Sequence, residues 1–155
     1  IAFSYSHLYG LRTTGLRYFT VYGPWGRPDM AMFIFTKKIL AGKPIPVFNH
    51  GKMKRDFTYI DDIINGTRLS IDKNYENEVF NLGNNKSEKL MEVIKLIEEY
   101  VEKKAIIDFQ PMQPGDVPES FADIDYSIKK LGFKPKTSIQ TGIPKLIDWY
   151  KKYYG

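Results

Sequence analysis

Arg27 lies in a loop rich in glycine and proline, where an anionic ligand is able to bind. The loop runs from Gly23 to Asp29, between a segment typical of a β-strand and an apolar segment that begins at Met30. In open α/β sheets, ligands bind beyond the carboxyl ends of the strands, where such a loop leads into a helix. A guanidinium offers a carboxylate or phosphate two parallel N–H donors. The layout therefore predicts an anion site at Arg27, and the alternative is an ordinary surface arginine.

A second basic cluster comprises Lys52, Lys54 and Arg55, just before a short strand. Clustered cations at a sheet edge can hold a diphosphate, but lysines on an edge strand also protect against aggregation, which is the simpler explanation for Lys52 and Lys54. Arg55 differs because Asp56 and Phe57 continue the strand, and alternating side chains give Arg55 a fixed direction. Arg55 is the stronger candidate for binding a phosphate.

The composition limits the chemistry and concentrates positive charge in the first part of the chain. There are 155 residues, no cysteine and two histidines, which excludes a disulfide scaffold, a thiol nucleophile and a zinc finger and predicts no metal site. The first 60 residues carry nine Lys or Arg against two Asp or Glu, whereas the rest carry 14 against 16. This segment suits an anionic partner, or is simply a solvated basic face.

The pattern of residues predicts one compact α/β unit over residues 1–155. Gly10 is expected to end a helix that is already under way at Ile1, which suggests a fragment. Asp29 is expected near the N-cap of the next helix, Ser87 is expected to cap a later one, and residues 45–49 and 55–59 are expected to flank a hairpin turn. No apolar stretch is long enough to cross a bilayer and nothing resembles a signal peptide, so we expect a cytoplasmic protein. Strands are predicted at 14–22, 45–49, 55–59, 78–82 and 105–109, and helices at 30–40, 61–72, 87–101, 125–131 and from 137 onward.

Two long segments resemble one family of nucleotide-sugar enzymes. They are residues 16–31, which include Gly-Pro-Trp-Gly-Arg-Pro, and residues 51–62, which include Arg-Asp-Phe-Thr-Tyr. Residues 112–117 and the final helix with Trp149 agree. The chain resembles the C-terminal half of UDP-glucuronate 4-epimerases, which are extended short-chain dehydrogenases/reductases. The resemblance implies the last strands of a Rossmann-like parallel sheet plus the small C-terminal substrate-binding subdomain, an incomplete doubly wound fold.

The resemblance also implies roles for individual residues. Tyr18 and Phe19 would contact the cofactor NAD, Thr20 the phosphate or sugar carboxylate of the substrate, and Arg27 the uronic carboxylate. At the nucleotide end, the implied roles are uracil binding for Pro46, Val47 and Phe48 with Met32 nearby, diphosphate binding for Arg55, and acceptance of hydrogen bonds from the ribose hydroxyls for Asp116.

Two motifs of the family are absent from this chain. None of the 12 glycines forms the glycine-rich NAD-binding turn, and the catalytic Tyr-x-x-x-Lys motif would lie just before Ile1. The pairs Tyr100/Lys104 and Tyr126/Lys130 have that spacing, but it is one helical turn and arises by chance. We therefore expect no catalytic residue in this chain and no epimerase activity from it alone. In the full-length protein, expected to be a homodimer, the resemblance implies that NAD would take a hydride from C4 of the sugar while the tyrosine of the absent motif takes the hydroxyl proton. The 4-keto sugar would then rotate and receive the hydride on its other face.

Two alternatives remain open at this point. A nucleotide-sugar dehydratase or decarboxylase of the same family would share the fold and most UDP contacts. A non-catalytic module that binds anions or nucleic acid would also be basic, but the aromatic residues follow strand patterns and form no evident stacking platform. We expect a UDP-sugar as the partner, and neither nucleic acid nor a membrane.

Overall fold

A computed structural model describes all residues from 1 to 155, and it confirms an α/β fold with parallel strand pairs. None of its helices is both long and apolar enough to cross a membrane. The helices are α1 (Ala2–Tyr9), α2 (Ala31–Leu40), α3 (Ile60–Lys73), α4 (Leu90–Val101), α5 (Asp125–Leu131) and α6 (Ile139–Tyr154), with a 3₁₀ helix at Phe48–Gly51. The strands are β1 (Thr13–Tyr18), β2 (Thr20–Tyr22), β3 (Ile45–Val47), β4 (Lys54–Arg55), β5 (Phe57–Tyr59), β6 (Asn77–Leu82), β7 (Glu88–Lys89) and β8 (Ile107–Phe109).

The strand predicted at 14–22 changes its partner at Phe19. β1 pairs in parallel with β6, and β2 pairs in parallel with β5. At the junction, the Phe19 amide donates to the Leu82 carbonyl at 3.3 Å, and the Thr20 amide donates to the Asp56 backbone carbonyl at 3.1 Å. The change of partner aligns β2 with β5, so Thr20, the first residue of β2, stands directly opposite Phe57.

The hairpin predicted between residues 45–49 and 55–59 is wrong. β3 pairs in parallel with β8, and β4 pairs antiparallel with β7. The residues between β3 and β4 form the 3₁₀ helix, in which Asn49 and His50 have left-handed backbone angles. Each strand therefore finds its partner far along the chain, and no local turn joins them.

Helix ends agree with the sequence at glycines but not at the predicted cap Ser87. Gly10 and Gly132 end α1 and α5 in the left-handed conformation that glycine adopts without strain. Asp29, predicted near the N-cap of α2, lies one residue before the cap residue Met30. The predicted cap Ser87 is wrong, because Lys89 holds the cap position of α4. Neither Met30 nor Lys89 makes a side-chain hydrogen bond that caps its helix. At the start of α4, the Leu90 amide donates instead to the Met53 carbonyl at 3.0 Å.

Two apolar clusters support the two ends of the structure. The larger one packs α2, α4 and α6 against β2, β3 and β5, and the predicted stripe of α4, Leu90, Ile94, Ile97 and Val101, is buried in it. The smaller one joins β6 to α3 and α5 around Phe80 and Phe133. Among the predicted site residues, Met32 and Val47 belong to the larger cluster, whereas Phe19 packs against the smaller one.

Candidate functional site

A groove of about 290 Å³ brings together five residues that the sequence singles out. They come from separate elements: Thr20 begins β2, Pro46 lies in β3, Phe48 in the 3₁₀ helix, Arg55 in β4, and Asp116 in the loop before α5. We call this the main groove. Its remaining walls are largely apolar, formed by residues such as Ala31, Ile34, Phe35, Met53, Phe57 and Leu90.

Arg55 and Asp116 form the charged end of the main groove. Arg55 Nη2 lies 2.6 Å from Asp116 Oδ1, and Nη1 donates to the Lys54 carbonyl at 2.8 Å. The Arg55 side chain is 17% exposed, so these bonds hold the guanidinium in one orientation. The Val117 amide also donates to Asp116 Oδ1, at 2.8 Å, which leaves Oδ2 without a partner in the chain. Unused N–H donors of Arg55 and one carboxylate oxygen of Asp116 remain for a ligand.

The loop that carries Asp116 is fastened to β4. The Lys54 amide donates to the Pro118 carbonyl at 2.9 Å, and the Ser120 amide donates to the Lys54 carbonyl at 3.2 Å. Lys54 Nζ also pairs with Glu119 at 3.3 Å. These contacts fix the position of Asp116 relative to Arg55, although the two residues are far apart in sequence.

Asp56, which the sequence analysis did not single out, is a buried carboxylate beneath the site. Its side chain accepts from the Asn84 amide at 2.7 Å, the Thr58 hydroxyl at 2.9 Å and the Ala122 amide at 3.0 Å. It thereby ties the strand that bears Arg55 to the ends of β6 and of the Asp116 loop. An acid between Arg55 and the buried Phe57 is the signal that could have revealed it, because charged residues are rarely fully buried without partners.

A second cavity of about 390 Å³ lies on the other side of Met30 and contains Tyr18, Phe19 and Arg27. We call it the side cavity. Tyr18 is half exposed, and its hydroxyl lies 3.1 Å from the Thr67 hydroxyl. Because Met30 lines both spaces, the main groove and the side cavity are separated by the short ridge at the start of α2.

Arg27 is exposed and pairs with Asp29 on this ridge. Arg27 Nη2 lies 2.6 Å from Asp29 Oδ2, and Nε lies 3.1 Å from Oδ1, so the contact uses both carboxylate oxygens. The hydrogen bonds raise the pKa of Arg27 and lower the pKa of Asp29 from their ordinary values. Both groups are therefore charged at neutral pH.

The loop that carries Arg27 is anchored by Trp25. Trp25 has a left-handed backbone, with φ of 62°, and its ring packs against Trp149 and Tyr153 of α6 at centroid distances of 5.4 and 5.0 Å. A non-glycine residue in this conformation needs support from its surroundings, and the stack supplies it. The C-terminal helix thus helps to place the Arg27 loop.

Met32 and Val47, expected near the uracil, do not line the main groove. Both side chains are buried in the larger apolar cluster, and the Val47 carbonyl accepts from the Gln110 amide at 2.9 Å. Met32 lies in the first turn of α2 and lines a small space beside Arg27 and Leu146. Contacts from these two positions to a ligand in the groove would need backbone atoms.

The two Tyr–Lys pairs do not resemble a catalytic pair. The Tyr126 hydroxyl lies 2.8 and 2.9 Å from the two oxygens of Glu78, and this hydrogen bond raises the pKa of Tyr126. Lys104 pairs with Glu98 at 3.2 Å. A tyrosine that acts as a base needs a lowered pKa, whereas the environment of Tyr126 raises its pKa.

Two other features of the surface do not add to the site. A cavity of about 360 Å³ near His7, Glu76 and Glu78 contains none of the predicted residues. No group of three or more His, Asp or Glu side chains is arranged to hold a metal ion.

Comparison with known proteins identifies the family. Residues 1–83 match the model of the NAD dependent epimerase/dehydratase family. The chain belongs to this family. The matched residues include β1, β2, α2, β4 and β5, and therefore Thr20, Arg27 and Arg55.

Family relatives with similar sequences include epimerases that act on UDP-glucuronate. The chain is 53% identical over 97% of its length to the uncharacterized protein MJ1055 of Methanocaldococcus jannaschii, covering 46% of that protein. It is 48% identical to the protein CapI of Staphylococcus aureus, over 99% of this chain and 52% of CapI. UDP-glucuronate 4-epimerase 4 of Arabidopsis thaliana is 45% identical, with 99% and 39% coverage. The chain spans about half the length of the first two relatives.

Solved structures of the family share the fold. The UDP-glucuronic acid 4-epimerase of Bacillus cereus, in complex with UDP-glucuronic acid and NAD, superposes with a TM-score of 0.93 at 35% identity, over 99% of this chain and 49% of that one. The UDP-glucose 4-epimerase of Thermotoga maritima, with UDP-glucose, gives 0.91 at 32% identity, with 98% and 50% coverage. The resemblance to the C-terminal half of UDP-glucuronate 4-epimerases is confirmed.

Proposed function

We propose that this chain supplies the UDP-sugar side of the active site of an NAD-dependent UDP-glucuronate 4-epimerase. The observation that carries the proposal is the gathering of Thr20, Pro46, Phe48, Arg55 and Asp116 in one groove, with Tyr18, Phe19 and Arg27 in the adjoining cavity. These eight residues hold the positions at which the family resemblance implies substrate and cofactor contacts. The UDP-glucuronic acid complex of the Bacillus cereus relative supports the same ligand class.

The nucleotide half of the ligand fits the main groove. Pro46 and Phe48 are half-buried and give the uracil ring an apolar wall. Arg55 lines the same groove and has N–H donors for the diphosphate. Arg55 acts by charge and position, because its very high pKa prevents it from transferring protons. Asp116 lines the same groove, and its Oδ2, which has no partner within the chain, is able to accept hydrogen bonds from the ribose hydroxyls.

The sugar half extends from the main groove toward the side cavity, across the ridge at Met30. Thr20 is half-buried, and its hydroxyl makes no hydrogen bond within the chain, so it is available to the sugar or its carboxylate. Arg27 lies on the far side of the ridge. A hexuronic acid that bridges the two spaces would bring its carboxylate between Thr20 and Arg27.

The side cavity fits one end of NAD. Tyr18 and Phe19 present aromatic surface beside a space large enough for a planar ring, and Pro24 and Ile60 add apolar lining. When bound, NAD accepts a hydride from the sugar and returns it. The chain's own part is to hold the sugar ring beside this surface, because reacting atoms must be kept in close and fixed geometry. The dinucleotide phosphates need the glycine-rich turn that this chain lacks.

Product analysis of the full-length protein tests the proposed reaction. With NAD present, we expect UDP-glucuronate to be converted to UDP-galacturonate, detected by proton NMR of the sugar ring, and UDP-glucose to react far more slowly. Conversion of UDP-glucose at the faster rate would reject the uronate assignment. Release of carbon dioxide, or loss of water as the main reaction, would favour the decarboxylase or dehydratase alternative.

Affinity measurements test the assignment of Arg27 independently of turnover. Arg27→Ala is expected to weaken UDP-glucuronate binding and to leave UDP and UDP-glucose binding unchanged. Arg68→Ala is a matched control, since Arg68 is also exposed and pairs with an aspartate at 3.6 Å, but on α3. Equal weakening of all three ligands by Arg27→Ala would contradict a carboxylate-specific role.

A further inference from the structure

The Arg27–Asp29 pair occupies the ridge that a bound sugar must cross. Asp29 lines the main groove, Arg27 lines the side cavity, and the two side chains are 65% and 73% exposed. The pair is therefore open to exchange with a ligand, unlike the sheltered Arg55–Asp116 pair. No other acidic side chain lies within ion-pair distance of Arg27.

Asp29 presents to Arg27 the same chemical group that a hexuronic acid carries. The carboxylate engages Nε and Nη2 with its two oxygens, which is the arrangement in which a guanidinium binds any carboxylate. These two donors cannot serve Asp29 and a second carboxylate in the same way at once. The lowered pKa of Asp29 agrees with a charged competitor at neutral pH.

We propose that Asp29 is an internal stand-in for the substrate carboxylate, which a uronic acid must displace from Arg27, and that it thereby moderates the preference for uronic acids that Arg27 confers. A uronate replaces Asp29 at Arg27, so that one charged pair is exchanged for another. A neutral sugar offers no carboxylate and leaves the Arg27–Asp29 pair intact, and therefore gains nothing from Arg27. This inference rests on the proposed function, because it assumes that Arg27 meets the sugar carboxylate.

The test is calorimetric titration of the full-length protein and its Asp29→Asn variant with UDP-glucuronate and UDP-glucose. Loss of the competing charge should tighten UDP-glucuronate binding by about two- to fivefold, as expected for removal of an exposed ion pair, and leave UDP-glucose unchanged. The matched control is Asp72→Asn, which removes the acid of the exposed Arg68–Asp72 pair on α3. The tightening should also disappear when Asp29→Asn is made together with Arg27→Ala.

The outcomes separate this inference from the function on which it rests. If Asp29→Asn weakens UDP-glucuronate or leaves it unchanged while Arg27→Ala weakens it, Asp29 is no competitor, and the proposed function stands. If Arg27→Ala changes neither ligand, the carboxylate assignment fails and the inference fails with it. Equal tightening of both ligands by Asp29→Asn would show a general charge effect and would overturn the inference. Far-UV circular dichroism confirms that the exposed substitutions leave the fold intact.

Discussion

Arg55 Nη2 lies 2.6 Å from Asp116 Oδ1, joining residues that are 61 positions apart in the sequence. One comes from a two-residue strand and the other from an irregular loop, so neither is placed by a long regular element. The backbone bonds between Lys54 and the segment 118–120 hold the two together. The charged end of the main groove therefore exists only when the loop is fastened to β4.

Arg55→Ala should weaken the binding of UDP, UDP-glucose and UDP-glucuronate to a similar extent. Hydrogen bonds to charged groups contribute about 1.5–3 kcal/mol, so we expect a loss of roughly 10- to 100-fold in each dissociation constant, measured by calorimetry. Arg55→Lys should recover only part of the loss, because an ammonium lacks the planar fork. Unchanged UDP affinity in Arg55→Ala would remove Arg55 from the diphosphate site.

Asp56→Asn should destabilise the folded protein although the change is nearly isosteric. The side-chain amide turns an acceptor into a donor, so it faces either the Ala122 amide or the Asn84 amide with its own N–H groups. We expect a loss of about 1–3 kcal/mol in the free energy of unfolding, measured by urea titration. Asp72→Asn on the surface of α3 is the control and should stay within about 0.5 kcal/mol of the wild type. Equal effects of the two variants would contradict the role given to Asp56.

Gly83→Ala should disturb the junction beneath the site, because β6 ends there against the segment that carries Ala122. An added Cβ would clash with the Ala122 Cβ and lie 3.1 Å from Asp56 Oδ2. Overpacking of this kind costs about 1–3 kcal/mol, which urea titration would detect. Gly15→Ala is the control, since its Cβ would meet Val79 at an ordinary 3.4 Å. A Gly83→Ala variant as stable as Gly15→Ala would show that this junction has room to adjust.

Tyr22 should make the free energy of unfolding depend on pH in the alkaline range. Burial raises its pKa far above the ordinary value, with further contributions from Tyr59 and Asp62. Because the phenol ionises more easily in the unfolded chain, its contribution to stability is complete below about pH 10 and is lost as the pH rises beyond it. In Tyr22→Phe, the decline of the unfolding free energy above about pH 10 should be shallower. Tyr5→Phe, which removes a half-exposed phenol, is the control. Identical slopes for Tyr22→Phe and the wild type would contradict this assignment.

Local patterns predicted the helices well but not the partners of the strands. The stripe from Leu90 to Val101 is buried as expected, because helix periodicity is a property of one segment. The change of partner at Phe19, and the pairing of β3 with β8, depend on residues more than 35 positions away. A hairpin was the simplest local interpretation of residues 45–59, and distant pairing replaced it.

The residues of the candidate site likewise fall into those that local patterns predicted and those that they did not. Arg27 and Arg55 were found from loop and strand patterns, and the grouping of Asp116 with Arg55 came only from the family resemblance. Asp56 was missed because two of its hydrogen-bond donors, the backbone amides of Asn84 and Ala122, lie far from it in the sequence. Asp29 was predicted near the N-cap of α2 and lies one residue before it, but the sequence pattern gave no sign that its carboxylate pairs with Arg27.

The central claim is tested most directly by the crystal structure of the full-length protein with UDP-glucuronate and NAD. We expect the uracil beside Pro46 and Phe48, the diphosphate within hydrogen-bond distance of Arg55, and the hexuronate carboxylate between Thr20 and an Arg27 that has left Asp29. A nucleotide sugar bound outside the main groove, or a carboxylate remote from Thr20 and Arg27, would contradict the account.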